Sequence, residues 1–151
     1  MRIAVGADHA GFDMKSQLVE FLRAKGHEVL DLGTHSTAAV DYPDRADAVA
    51  TALTDRRADR GLLVCGSGAG VSIAANKVPG IRAAVCHDTY TVHQAVEHDD
   101  MNVLCLGARV IGIALAQDIT TVFLDARFSG EDRHQRRLDK MLAIEARFSR
   151  T

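Results

Sequence analysis

Short, unbroken apolar runs alternate along this chain with stretches whose apolar residues recur every three or four positions. Runs without polar alternation suit strands covered on both faces, while the helical spacing gives one buried stripe. Ile3 to Ala7 therefore reads as a strand. A helix follows over about Gly11 to Lys25, with Met14, Leu18, Phe21 and Leu22 facing inward and Gly26 as its stop. Val29 to Leu32 is a second strand and Thr34 to Asp41 a loop. Pro43 suits the first turn of the next helix, whose stripe is Ala46, Val49, Ala50 and Leu53. Gly61 to Cys65 is a third strand, followed by a short helix over about Val71 to Lys77. Strands over Ile81 to Cys86 and Val103 to Leu106 come next, with helices over about Thr89 to His98 and Gly112 to Ala126. A last helix covers about 132–148, with Leu138, Met141 and Leu142 turned inward. Five consecutive β-α units predict one three-layer, Rossmann-like α/β domain over residues 1–151, built on a five-stranded, mostly parallel sheet. Ligands of such sheets bind beyond the carboxyl ends of the strands, so chemistry is expected in the loops after the first, third and fifth.

Composition narrows the partners. A chain of 151 residues that is 47% hydrophobic suits one globular domain with a real core. Eighteen basic against 20 acidic residues leave a net charge of -2, which argues against nucleic acid or an anionic membrane as the main partner. A local arginine cluster for a small anion is still compatible with that total. Cys65, Cys86 and Cys105 make no disulfide framework, and no C-x-x-C spacing suggests a structural zinc. The first residues run straight into a strand pattern without a leader-like stretch, and no apolar run approaches a membrane span. The expected location is the cytoplasm.

The most informative segment is Cys65-Gly66-Ser67-Gly68-Ala69-Gly70. Alternate glycines let the backbone turn sharply and aim several N–H groups at one point, and the loop leads into a helix N-terminus, a geometry suited to an anion. A dinucleotide fingerprint would need glycine at position 71, where Val71 stands, and the Gly-Lys-Ser/Thr ending of a nucleotide P-loop is absent. The alternative is a tight turn without function. Cys65 stands next to those amides, which can lower a thiol pKa; Cys86 and Cys105 read as ordinary buried cysteines.

Other candidates are ambiguous from the residues alone. Asp8 and His9 close the first strand and could meet hydroxyls and a phosphate, but an isolated Asp there is better explained as a helix cap. Arg133 and Arg137 lie four apart on one helix face and could converge on a phosphate dianion. With Arg136 and Lys140 nearby, the pattern alone favours a solvated basic face. His98 could simply complement a helix dipole, and Arg109 is weak by itself.

Taken in order, several blocks resemble the type B ribose-5-phosphate isomerase family, which also contains the subunits of galactose-6-phosphate isomerase. They are Gly6-Ala7-Asp8-His9-Ala10-Gly11-Phe12, Asp41-Tyr42-Pro43, the 65–70 loop, Ile73-Ala74-Ala75-Asn76-Lys77, Asn102-Val103-Leu104, Gly107-Ala108-Arg109-Val110-Ile111-Gly112, and Arg133-His134-Gln135-Arg136-Arg137. The resemblance runs from Arg2 to about Arg147. It implies that Cys65 is the catalytic base, that His98 opens the sugar ring, and that the Ser67 hydroxyl lies beside the substrate oxygens. It further implies that the amides of Gly66, Ser67, Gly68, Ala69 and Gly70 face an enediolate, and that Asp8 and Tyr42 lie around the sugar hydroxyls. His9, Arg109, Arg133 and Arg137 would take the phosphate.

The same resemblance implies no metal and no organic cofactor. It implies a homodimer, or dimers paired into a tetramer, with a site shared between subunits so that His98 and Arg109 reach across. One residue departs from the family pattern. Asn commonly follows the His98 position and contacts the sugar; here it is Asp99, which only accepts hydrogen bonds and adds negative charge. Some relatives carry a carboxylate base in the loop instead of the cysteine, but Val71 stands where that Glu would be. The implied activity is ribose 5-phosphate to ribulose 5-phosphate isomerisation. The alternatives are allose 6-phosphate, galactose 6-phosphate or a four-carbon aldose phosphate as substrate, and, more remotely, a phosphosugar-binding module without catalysis.

Overall fold

The computed structural model describes residues 1–149; residues 150 and 151 of the expected 1–151 domain lie outside the described residues. Five strands, β1 (Arg2–Ala7), β2 (Glu28–Asp31), β3 (Arg60–Cys65), β4 (Ala83–Val85) and β5 (Val103–Gly107), pair in the order β2-β1-β3-β5-β4, and every pairing is parallel. The helices are α1 (Phe12–Ala24), α2 (Tyr42–Thr54), α3 (Ala69–Ala75), α4 (Thr89–Asp99), α5 (Ile113–Asp125) and α6 (Asp132–Phe148).

Side chains of a strand point alternately to its two faces, and this sorts the core into two layers. Ile3, Val5, Leu62, Val64, Leu104 and Leu106 pack with residues of α1, α4 and α5, including Leu18, Val92, Val96, Ile119 and Phe123. The intervening Ala4, Leu63, Cys65, Val103 and Cys105 pack with Val49 and Ala50 of α2 and Val71 and Ala75 of α3. The sheet is covered on both faces, which is why its strands read as continuous apolar runs.

The chain leaves β1 first toward β2 and then returns to the other side of β1 as β3. Such a reversal opens a crevice at the carboxyl ends of the two strands. Ala7 is in register with Val64, and Cys65 with Gly107, so Asp8 and the 65–70 loop emerge side by side. Beyond β2, Lys15 is 1% exposed and its Nζ lies 2.9 and 3.0 Å from the two carboxylate oxygens of Asp31. Asp31 also accepts the Gly33 N–H at 3.0 Å. The Gly33 carbonyl and Thr34 amide then bond the amide and carbonyl of Ala7, fixing the start of the 34–41 loop beside the crevice.

Two expectations change. The fourth strand is shorter than Ile81 to Cys86: ahead of it the Arg82 N–H donates to Asn102 Oδ1, while Asn76 bonds both the N–H and C=O of Ala83, the first residue of this edge strand. Met141 and Leu142 do not turn inward; they are 39% and 38% exposed. The buried stripe of α6 is His134 and Leu138; past Leu138, Met141 borders an open groove with Asn76, Arg82 and Ala83, and Glu145 Oε1 accepts the Gly80 N–H at 3.0 Å. No helix among the described residues is long and apolar enough to cross a membrane.

Candidate active site

The turn from β3 into α3 begins with Cys65, which is 5% exposed, and its Sγ accepts the N–H of Gly68 at 3.1 Å. Closing that short ring requires the left-handed backbone of Gly68, at φ +82°. A Cβ on Gly68 would also lie 3.0 Å from the carbonyl carbon of Leu106. Ser67 is exposed and its Oγ accepts the Ala69 N–H at 3.1 Å, which turns the loop into the helix. Amides directed at one point beside a thiol can stabilise the thiolate or an oxyanion formed next to it.

Asp8, Tyr42, Cys65, Gly66, Ser67, Gly70, Arg109 and Val110 line one cleft of about 410 Å³. Asp8 is 8% exposed and its Oδ1 accepts the Gly11 N–H at 3.1 Å. Gly11 itself occupies the N-cap position of α1, so Asp8 braces the turn one step before the helix. His9 Nδ1 accepts the Val40 N–H at 3.3 Å, which puts the ring proton of neutral His9 on Nε2 and ties the 34–41 loop to it. Tyr42 opens α2 and covers Gly70 closely: a Cβ there would fall 2.8 Å from its ring.

Arg109 differs from the expectation that it reaches across to a partner. Its N–H donates to the Gly66 carbonyl at 3.0 Å and its side chain lies over Gly66, so it lines the cleft of its own chain.

The remaining candidates form a separate group. His98, in the last turn of α4, stacks on His134 with ring centroids 4.0 Å apart. Arg133 and Arg137 flank His134 on the exposed side of α6, with Arg133 Nε 3.1 Å from Glu131 Oε2. Neither His98 nor these arginines line the Cys65 cleft of the same chain. Asp99 borders a different groove, with Asn76, Arg82 and Met141.

The other two cysteines behave as buried thiols. Burial pushes Cys86 up to about 11, and Cys105 still further. Among the described residues, no group of three His, Cys, Asp or Glu could hold a metal ion.

The structure adds two histidines that sequence reasoning passed over. His87 follows β4 and its Nε2 accepts the Gly107 N–H at 2.9 Å, directly behind the loop. Its place at a strand's carboxyl end was the available signal. His134 occupies a core position of the α6 stripe, four before Leu138, where an imidazole needs a partner; it has one in Ser129, at 2.5 Å.

Comparison with known proteins identifies the family. Residues 3–141 match the family model described as Ribose/Galactose Isomerase. The chain is 46% identical over 146 residues to ribose-5-phosphate isomerase B of Escherichia coli, covering 97% of each protein. It is 46% identical over 131 residues to D-erythrulose-4-phosphate isomerase of Pectobacterium atrosepticum, covering 86% of each. The solved structure of Clostridium thermocellum ribose-5-phosphate isomerase B superposes with a TM-score of 0.96 at 48% identity, over 99% of this chain and 100% of that one. A matched model over most of the length, close relatives and a shared fold place the chain in the ribose/galactose isomerase family.

Proposed function

We propose that this chain interconverts an aldose phosphate and its ketose through a cis-enediolate, with ribose 5-phosphate and ribulose 5-phosphate as the pair. The observation that carries the reading is the Cys65 thiol in a cleft with Asp8, Tyr42, Ser67 and Arg109, receiving an amide of the loop that would hold the enediolate. The similarity to ribose-5-phosphate isomerase B supports the choice of sugar.

In this mechanism the phosphate is held by His9, Arg133 and Arg137, with Arg109 assisting. His98 opens the furanose by proton transfer, and Asp8 and Tyr42 hold the hydroxyls. The Cys65 thiolate takes the C2 proton; the C–H electrons form the C1–C2 double bond and the carbonyl electrons move onto the C1 oxygen. Amides of Gly66 to Gly70 stabilise that oxyanion, an effect commonly worth about 100-fold per donor. Ser67 passes the hydroxyl proton from the C2 oxygen to the C1 oxygen, and the thiol returns its proton to C1.

His98, Arg133 and Arg137 stand apart from the cleft of their own chain, which supports a homodimer, alone or paired into a tetramer, whose sites are shared between subunits. Ile73, Val110 and Ile144, each more than half exposed, offer apolar surface for such a contact. The chain works in this reading as one cytoplasmic isomerase domain, without metal or organic cofactor.

A specific observation favours a second reading of the sugar. Asp99 replaces the amide that commonly follows His98, and a relative of equal identity is a D-erythrulose-4-phosphate isomerase. Assaying ketose formation from ribose 5-phosphate, allose 6-phosphate, galactose 6-phosphate and erythrose 4-phosphate tests both. The highest kcat/KM is expected on ribose 5-phosphate; a clear preference for another sugar moves the assignment to it, and no turnover on any of them rejects isomerisation.

A further inference from the structure

His98 sits at a helix end, half-buried, where an unsupported imidazole would sample several rotamers. Here it is held from two directions. The ring of His134 lies 4.0 Å away, inclined by 25°, and His134 is 1% exposed, so it cannot swing aside. The loop before α6 secures both histidines. The Ser129 N–H donates to the Glu97 carbonyl at 3.0 Å, one residue before His98, and the Ser129 hydroxyl pairs with His134 Nδ1 at 2.5 Å. The Glu131 amide donates to the same hydroxyl at 3.2 Å, so Ser129 is itself held while it pairs with His134.

We propose that His134, locked by Ser129, is the positioning residue that holds the imidazole of His98 in the pose from which it opens the sugar ring. The inference rests on the ring-opening role given to His98 above. It assigns His134 no contact with substrate and no proton to transfer. Burial, with His98, Arg133 and Arg137 alongside, disfavours a charge on His134; Glu97 Oε1 lies 3.6 Å from the His98 ring.

The two directions of the reaction separate this role from a merely structural one. Ribose 5-phosphate is a furanose and must be opened. Ribulose 5-phosphate has its ring-closing 5-oxygen esterified, so it is open-chain, and exchange of its C1 proton with solvent deuterium needs the base and the loop alone. Full-length wild type, His98→Ala, His134→Ala, His134→Phe and Ser129→Ala are compared for ribose 5-phosphate turnover and for C1 exchange in ribulose 5-phosphate.

His98→Ala is expected to lose turnover while keeping exchange. His134→Ala should lose turnover about tenfold or more with exchange within about twofold of wild type, because a misplaced acid-base group costs rate only in the step it serves. His134→Phe keeps a stacking ring and should recover most of the loss, and Ser129→Ala should show a smaller loss of the same kind. Retained exchange itself reports an intact cleft; should His134→Ala fail to fold, Ser129→Ala decides. Unchanged turnover, or turnover and exchange falling in the same proportion in a folded variant, overturns the proposal. If His98→Ala keeps turnover or loses both activities together, the role of His98 is wrong and the proposal falls with it, an outcome visible separately from any result at His134.

Discussion

The Sγ of Cys65 accepts the Gly68 amide across 3.1 Å, so thiol and loop are joined by a bond that depends on a left-handed glycine. Alanine at 68 would carry a Cβ 3.0 Å from the Leu106 carbonyl carbon at a φ of +82°, a conformation that costs a non-glycine residue about 1–2 kcal/mol before any clash. Relief requires the loop to move away from β5, and the amide moves with it. Gly68→Ala is expected to lower kcat about 100-fold, the usual effect of losing one such donor, and to lower the melting temperature by several degrees. Steady-state kinetics and calorimetry check both; a fully active variant would show that the Gly68 amide is not part of the machinery.

Gly70 makes a different prediction, because its neighbour can yield. A Cβ there would meet the Tyr42 ring at 2.8 Å, and Tyr42 is 43% exposed and free to rotate outward. Gly70→Ala should therefore change stability by less than about 1 kcal/mol, as surface substitutions do, and act on sugar binding. A rise in KM with kcat nearly kept is the expected split. An equal fall in kcat and kcat/KM would place Tyr42 in the chemical step instead.

His134 predicts a pH dependence of folding. Burial, reinforced by the charges of His98, Arg133 and Arg137, holds its pKa below the ordinary histidine value, against a weaker opposing pull from Glu131. The unfolded chain takes up that proton near pH 6.5. Below that point the unfolded state binds more protons than the folded one, so stability falls as pH drops toward the lower folded value and is unaffected well above 6.5. Urea midpoints at about pH 7.5, 6.5 and 5.5 should decline less steeply for His134→Phe than for wild type. Parallel declines would assign the acid sensitivity to other groups.

A shared site predicts complementation. Cys65→Ala keeps a working His98, and His98→Ala keeps a working Cys65. Mixed and allowed to exchange subunits, the two inactive proteins should recover activity, to at most about a quarter of wild type if half the dimers are hybrids with one complete site. Absence of recovery after exchange is shown by mass spectrometry would mean that each chain completes its own site.

The sheet and the loop at its switch point were legible in the chain, for a simple reason. Leu62-Leu63-Val64 has no polar alternation because α-helices cover both faces of β3, and the glycines at 66, 68 and 70 mark where backbone must turn or be approached. What escaped was everything decided by side chains from distant elements. The Arg82 N–H is taken by the Asn102 side chain just before β4, and no local pattern announces it. Met141 and Leu142 have the spacing of a buried stripe but stay more than a third exposed, Met141 at an open groove beside Asn76 and Arg82. The Arg133 and Arg137 pair looked like a solvated basic face, and both residues are exposed in the single chain. Their neighbour His134, spaced as a core residue, is the one that ties that face to His98.

The proposed isomerisation depends on the thiol of Cys65. Cys65→Ala is to be compared with wild type in deuterated buffer, following both conversion of ribose 5-phosphate and deuterium entering ribulose 5-phosphate, alongside sugar-phosphate binding by calorimetry. The expected result is binding within a few-fold of wild type, with turnover and exchange both lost by about 1,000-fold or more, as for removal of an essential nucleophile or base. Near-normal conversion or exchange by the folded variant would contradict Cys65 as the base and, with it, the mechanism built on this loop.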